Sequence, residues 1–178
     1  MELLDVYDST GNKTGKTIVR GDKTAKLEDN EHIAVGVIFI ENSKGEFLMQ
    51  KTSQEKGGEF SSTGGHITHN ETPLSSIKRE VEEELGINID NEKIQELGFI
   101  HYDMPLRYIF YLKKDIDLKE IKLQQEEVDY VKYMKVEEIN NLIDTNQITK
   151  SHGIMFKEML KKVKGELWKI KNYWIYFL

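Results

Sequence analysis

Residues 72–86, TPLSSIKREVEEELG, carry both ends of a helix in the sequence itself. Thr72 suits the N-cap, and Pro73 suits the first helical position, where its missing N–H costs nothing. Gly86 takes the C-terminal glycine role. Between them Leu74, Ile77, Val81 and Leu85 recur at helical spacing and form one stripe that must face a core. Glu80, Glu83 and Glu84 fall together on the flank beside that stripe, three and four residues apart, while Glu82 points to solvent. The chain therefore needs an apolar layer under this helix, with one acidic edge left at its margin.

The flanking sequence supplies that layer mostly as strands. Residues 2–20 read as a β-hairpin about the polar turn 8–12, and residues 21–31 lack periodicity and read as a loop. HIAVGVIFI, residues 32–40, reads as one buried strand, turned by Asn42–Gly45 into a second at 46–50. Residues 53–66 read as a Gly- and Ser-rich loop with a short strand near Phe60. Further strands are expected at 94–101, 106–112 and 127–134, a short helix at 137–143 and a longer one at 151–163. Helices separated by groups of strands indicate α+β or a mixed-sheet sandwich, not a doubly wound parallel fold. One domain is expected over 1–164, with the hairpin at about 1–31. The aromatic tail 165–178 either docks on that domain or contacts a partner; docking is the plainer reading.

Composition excludes whole classes of function. The chain has 178 residues, enough to bury a core without disulfides or a structural metal. It has no cysteine, which removes disulfides, thiolate metal sites and a cysteine nucleophile together. The net charge of −6 argues against a general nucleic-acid binder. No apolar run of about 18 residues is present, and the first eight residues have no basic leader region, so a cytoplasmic protein without a membrane span is expected. Residues 65–87 hold five acids and two bases, so half of the net charge sits in that window.

Like charges three and four residues apart destabilise a helix, and its last turn disfavours anions. A cation seated there offsets both costs, and clustered oxygens suit Mg²⁺ or Mn²⁺. The plain alternative is a solvated acidic face. Arg79, one of only three arginines, lies one turn before Glu83 and can grip it bidentately. Gly64 and Gly65 allow backbone to approach a ligand and to offer a carbonyl oxygen.

The window 65–87 resembles the signature of the Nudix hydrolase family, of the MutT type. Gly65, Glu71, Arg79, Glu80, Val81, Glu83, Glu84, Gly86 and Ile87 fill every defined position. The resemblance implies an α/β/α sandwich around a mixed sheet and hydrolysis of a pyrophosphate bond in a nucleoside diphosphate linked to another moiety. It implies that Glu80, Glu83 and Glu84 hold Mg²⁺ (Mn²⁺ is possible) with the carbonyl of Gly64 or Gly65. Arg79 would orient a ligating glutamate, and Glu71 would brace the loop. A metal there bridges an anionic helix and an anionic substrate. Glu126 and Glu127 resemble the downstream base of many members, with Glu127 preferred.

The first 66 residues are similar to the isopentenyl diphosphate isomerase-like branch. His32 and His66 match metal-ligating histidines of the true isomerases. The isomerase cysteine falls at Gly64, so a hydrolase of that branch is expected instead. His32 reads as structural, and His66 as facing the site. Arg107 is a candidate for a phosphate or base contact, and Phe60 and Tyr102 are candidates for stacking on a base. The expected partner is a small nucleotide or diphosphate, with the protein a monomer or homodimer. A catalytically silent nucleotide-binding domain is the rival from another class.

Overall fold

Strand β4 (Ala34–Glu41) is apolar on both sides because a layer covers each of its faces. In the computed structural model, which describes residues 2–165, side chains alternate along it. Ile38 and Ile40 join one core cluster, and Val37 and Phe39 join the other. Each such buried side chain contributes roughly 1.5–3 kcal/mol of transfer free energy.

The chain enters through β1 (Leu3–Asp8) and β2 (Lys13–Val19), the expected hairpin. The expected single strand at 32–40 is broken at Ile33. Its first two residues form β3 (Glu31–His32), which pairs with β1 in a small three-stranded sheet. The break lets the chain cross from the hairpin sheet into the main one. β5 (Phe47–Thr52), β6 (Phe60–Ser61) and β7 (Gly64–His66) follow, then α1 (Pro73–Leu85), β8 (Gln95–His101), β9 (Leu106–Lys113) and β10 (Val128–Met134). Helices α2 (Val136–Asp144) and α3 (Lys150–Lys164) complete the described fold. The aromatic tail lies outside the described residues.

The main sheet runs β10-β5-β4-β9-β8. β4 and β9 are parallel over their whole length, from Ala34 opposite Leu106 to Glu41 opposite Lys113, and the other pairings are antiparallel. α1 covers one face through Ile77, Val81 and Leu85, and α2 and α3 cover the other through Ile139, Phe156 and Met159. The result is an α+β sandwich about a mixed sheet. Among the described residues no helix is long and apolar enough to cross a membrane.

One irregularity creates room for a site. On its remaining edge β4 meets β5 only at Glu41, while β7 takes the other end, with Val35, Gly36 and Val37 opposite His66, Gly65 and Gly64. The Gly64–Gly65 pair is thereby woven into the sheet beside α1.

His152, in the first turn of α3, ties that helix to the same region. Its Nε2 accepts the backbone N–H of Ser62 at 3.0 Å, so the ring is held neutral. Burial pushes its pKa down from an ordinary 6.5 to about 4. The unfolded chain takes up this proton below about 6.5 while the folded protein refuses it until about 4. Stability is therefore present above 6.5 and lost as pH falls through that window, by about 1.4 kcal/mol per unit. Urea unfolding at pH 7 and pH 5 should show wild type losing about 2 kcal/mol more than His152→Gln. Equal pH slopes would remove His152 from this role.

Candidate active site

α1 begins as its sequence requires. Thr72 Oγ1 accepts the Ser75 N–H at 3.0 Å, and Ser75 Oγ accepts the Thr72 N–H at 2.9 Å, a reciprocal cap on the helix start. Gly86, at φ 66°, ends it in the left-handed region. With Ile77, Val81 and Leu85 fully buried, rotation about the helix axis is fixed, and so is the height of each carboxylate. Glu84 is buried at 4% exposure, Glu80 is half-buried and Glu83 is exposed.

Arg79 organises the acidic edge, though not in the way the spacing alone suggests. Its fork closes on Glu71, in the loop before the helix, with Nε to Oε1 at 2.7 Å and a second N–H to Oε2 at 3.1 Å. The i,i+4 partner Glu83 receives a single bond at 2.8 Å, and Glu80 another at 2.9 Å. The guanidinium also donates to the His66 carbonyl. Glu71 accepts the Thr68 N–H at 2.9 Å, so one carboxylate braces both the loop and Arg79. Burial alone would raise the Glu71 carboxyl, but these bonds outweigh it and hold it below the usual range.

No Lys or Arg pairs with Glu84 among the described residues, though a Gly64 backbone bond helps to hold it. Its side-chain hydrogen bond comes from the Gln50 amide at 2.9 Å, and Gln50 is fixed in turn by the Thr63 hydroxyl at 3.0 Å. Burial pushes the Glu84 carboxyl up to about 8, and repulsion from Glu80 and Glu127 adds to it against the Gln50 bond. Burial also raises Glu80, against the pull of Arg79. The Glu80 carboxylate lies directly against Gly65, where a Cβ would collide with it, and a Cβ on Gly64 would collide with the Gly36 carbonyl. Glycine at 64 is thus a steric requirement, because the clash is with backbone, whereas a side chain at 65 would displace the Glu80 carboxylate from its place.

The fit of a divalent cation is judged from this donor set. Two buried carboxylates share too little positive charge, their oxygens are hard donors, and a bare stretch of backbone lies beside them. These features suit a hard cation. Among the described residues no three His, Asp or Glu side chains are gathered at ligand spacing. Arg79 gathers Glu80 and Glu83 on one guanidinium, while Gln50 holds Glu84 separately.

Two cavities open over this edge. A polar one of about 250 Å³ is lined by Glu80, Glu83, Arg79, Gly64–His66, Arg20, Glu2 and Glu127. The second, of about 310 Å³, shares Arg20, Gly64–His66 and Glu127 with it and adds Glu84, Gln50, Lys56, Arg107 and the first turn of α3. Glu127 therefore faces both, with its carboxylate 2.9 Å from Lys56 Nζ, while Glu126 lines neither and offers its carbonyl to Ser53. Arg107 lies half-buried on the wall, its Nε donating to the Tyr102 carbonyl at 3.2 Å. Burial lowers its pKa, and no carboxylate forms a salt bridge with it among the described residues. Burial, with the cations Arg20 and Arg107 nearby, likewise keeps the His66 ring below its usual pKa.

Other expected residues lie elsewhere. Phe60 lines neither of these two cavities: it is buried in the core, its ring beneath Lys51 and Lys132 and edge-on to Tyr130. His32 is structural, with Nδ1 at 2.8 Å from the Met104 carbonyl and Nε2 at 3.1 Å from the Ser9 hydroxyl. Arg20 was not singled out by sequence reasoning. The hairpin carries it to the cavities because β1 pairs with β3 and Leu4 bridges to Thr68. The one signal in the sequence was its rarity as one of three arginines.

The family model for the NUDIX domain matches residues 30–154. An uncharacterized Nudix hydrolase of Listeria monocytogenes is 34% identical over 146 residues, covering 80% of this chain and 85% of that protein. A crystal structure from Deinococcus radiodurans superposes with a TM-score of 0.73 at 18% identity, over 88% of this chain and 98% of that one. The NUDIX domain of Shewanella oneidensis NrtR, crystallised with ADP ribose, gives a TM-score of 0.62 at 12% identity, covering 81% and 94%.

Proposed function

The chain belongs to the Nudix family, and from that premise we propose that it is a magnesium-dependent hydrolase of diphosphates. Its substrate is a nucleoside diphosphate joined to another group, or a related diphosphate. The observation that carries this reading is Glu84. A buried carboxylate raised by burial, beside Glu80 and below Gly64–Gly65, has a use once a divalent cation supplies the missing charge.

Glu80, Glu83 and Glu84 would hold the ion together with the carbonyl of Gly64 or Gly65. When bound, Mg²⁺ or Mn²⁺ would supply positive charge to the phosphate oxygens and acidify the attacking water. The chain's own groups do the rest. Arg79 orients Glu80 and Glu83, and Glu71 keeps Arg79 in place. Glu127, facing both cavities, takes the proton of the water that attacks phosphorus. Arg107 and His66, which line the second cavity together, contact the substrate. An arginine without a carboxylate partner beside an anionic substrate is a phosphate ligand in waiting. Arg107→Ala should raise KM about 10- to 100-fold with a smaller effect on kcat, read by steady-state phosphate release.

The decisive experiment is a phosphate- and pyrophosphate-release screen over nucleoside diphosphate derivatives with Mg²⁺ and Mn²⁺. Metal-dependent release supports the reading. Tight nucleotide binding with no release from any compound would make this a silent binding domain. We also read the hairpin, His32 and His66 as those of a hydrolase on the isopentenyl diphosphate isomerase-like branch. The isomerase cysteine would stand at position 64, where a Cβ meets the Gly36 carbonyl, so the backbone leaves no space for that side chain.

A further inference from the structure

Asp5 places a carboxylate where a strand ordinarily buries an apolar side chain. It stands in β1 between Leu4 and Val6, both buried, and is itself 6% exposed. A buried carboxylate is costly unless its oxygens are paired. Asp5 has three partners. Lys13 Nζ, from β2, lies 2.7 Å from Oδ2, His69 Nδ1–H donates to Oδ1 at 2.7 Å, and the Asn70 N–H donates to Oδ2 at 3.2 Å. Burial alone would raise this carboxyl, but these bonds outweigh it and hold it below the usual range. His69 and Asn70 belong to the loop between β7 and α1, so the hairpin grips that loop through one side chain.

The same loop carries Glu71. Asn70, the residue before it, has φ 69°, in the left-handed region that a non-glycine residue enters at a cost. Its N–H bond to Asp5 holds it there. Lys13 reaches one residue further and donates from Nζ to the Glu71 carbonyl at 2.9 Å. The strand edge closes the other side: the His69 N–H donates to the Leu3 carbonyl at 2.8 Å, and Leu4 bridges to Thr68. Glu71 is thus held at its backbone by the hairpin and at its carboxylate by Thr68 and the Arg79 fork. The hairpin turn is tied down separately, by His101 Nε2–H donating to the Ser9 carbonyl at 2.9 Å. It is a fixed anchor. We infer that Asp5 and Lys13 are positioning residues for the acidic edge of α1, acting through Glu71 and Arg79 on Glu80 and Glu83. Both precede residue 30, where the family match begins, so this support is an addition to the matched domain. The inference rests on the reading of that edge as a metal seat.

The test uses Mn²⁺ alone, titrated into the full chain and followed by the electron paramagnetic resonance of the free ion, so that the edge is read without substrate. Asp5→Asn keeps the shape and removes the charge, and should weaken Mn²⁺ binding about tenfold. Lys13→Gln, at an exposed position that leaves the fold intact, should weaken it about threefold, and Lys13→Arg should restore it to within about twofold of wild type. If Asp5→Asn does not fold, this second pair carries the comparison. Glu71→Gln should weaken binding at least about tenfold, and adding Asp5→Asn to it should cost less than about twofold more, because the connection is already cut. Thr14→Val removes a hydroxyl bond to the Val6 carbonyl in the same hairpin without touching Asp5, and should leave Mn²⁺ binding within about twofold. Wild-type affinity in Asp5→Asn, losses that multiply in the double variant, or an equal loss in Thr14→Val overturns the inference. A wild type that binds Mn²⁺ yet releases no phosphate from any diphosphate overturns the hydrolase reading alone. A wild type that binds no Mn²⁺ overturns both.

Discussion

Glu83→Gln and Glu84→Gln should each lower kcat by about three orders of magnitude, yet move stability in opposite directions. Glu83 is exposed and accepts one bond from Arg79. Its loss costs at most about 1 kcal/mol, as for other exposed pairs. Glu84 is buried, and its pKa is raised from an ordinary 4.5 to about 8. A raised carboxyl binds its proton more tightly when folded, so the metal-free protein loses stability as pH rises from about 4.5 through 8. Glutamine copies the protonated form and has no charge to bury. Melting in EDTA should therefore place Glu84→Gln level with wild type near pH 5 and about 5 °C or more above it at pH 9. Added Mg²⁺ should raise the wild-type melting temperature and leave Glu84→Gln nearly unmoved. A Glu84→Gln protein that turns over normally, or that melts below wild type at pH 9, would refute this account of the residue.

The second large effect is expected at Arg79. Arg79→Ala strips the cation from Glu71 and Glu80, whose side chains are only 18% and 13% exposed. Unpairing a buried carboxylate costs about 3–5 kcal/mol, and the partial exposure of Arg79 reduces this to about 2–4. Denaturant unfolding should show that loss, and turnover should fall at least a hundredfold because Glu80 and Glu83 lose their common anchor. Arg79→Lys is the control. A lysine keeps the charge but cannot form the fork on Glu71, so it should restore about half of the stability and little of the activity. Full recovery of activity by lysine would mean that charge alone, not the fork, positions the edge.

The helix and its carboxylates were legible because their determinants are local. Cap, stripe, flank and terminating glycine lie within 15 residues, and periodicity alone orients them. Arg79 shows where such reading stops. Along the helix its natural partner is Glu83, but the fork goes to Glu71, eight residues upstream, because the loop folds back and its Thr68 N–H pins that carboxylate. Phe60 is ambiguous for a related reason: an aromatic in a β-rich chain reads alike whether it stacks on a ligand or fills a core, and the structure places its ring in the core cluster. Nothing at Ile33 signals that the chain changes sheets, so the sequence of 32–40 reads as one unbroken strand.

By itself the sequence determined a helix with an acidic edge, a strand apolar on both faces, and a signature that assigns the family. All of these are properties of residues close together along the chain. Only the tertiary structure decided that β7 displaces β5 from the near end of β4, that Glu80 comes to lie against Gly65 with Glu84 lining the same cavity as the glycine pair, and that Arg20 arrives beside His66. These are pairings between distant segments, selected by strand register and by which faces can be buried together. Local propensity carries no record of either.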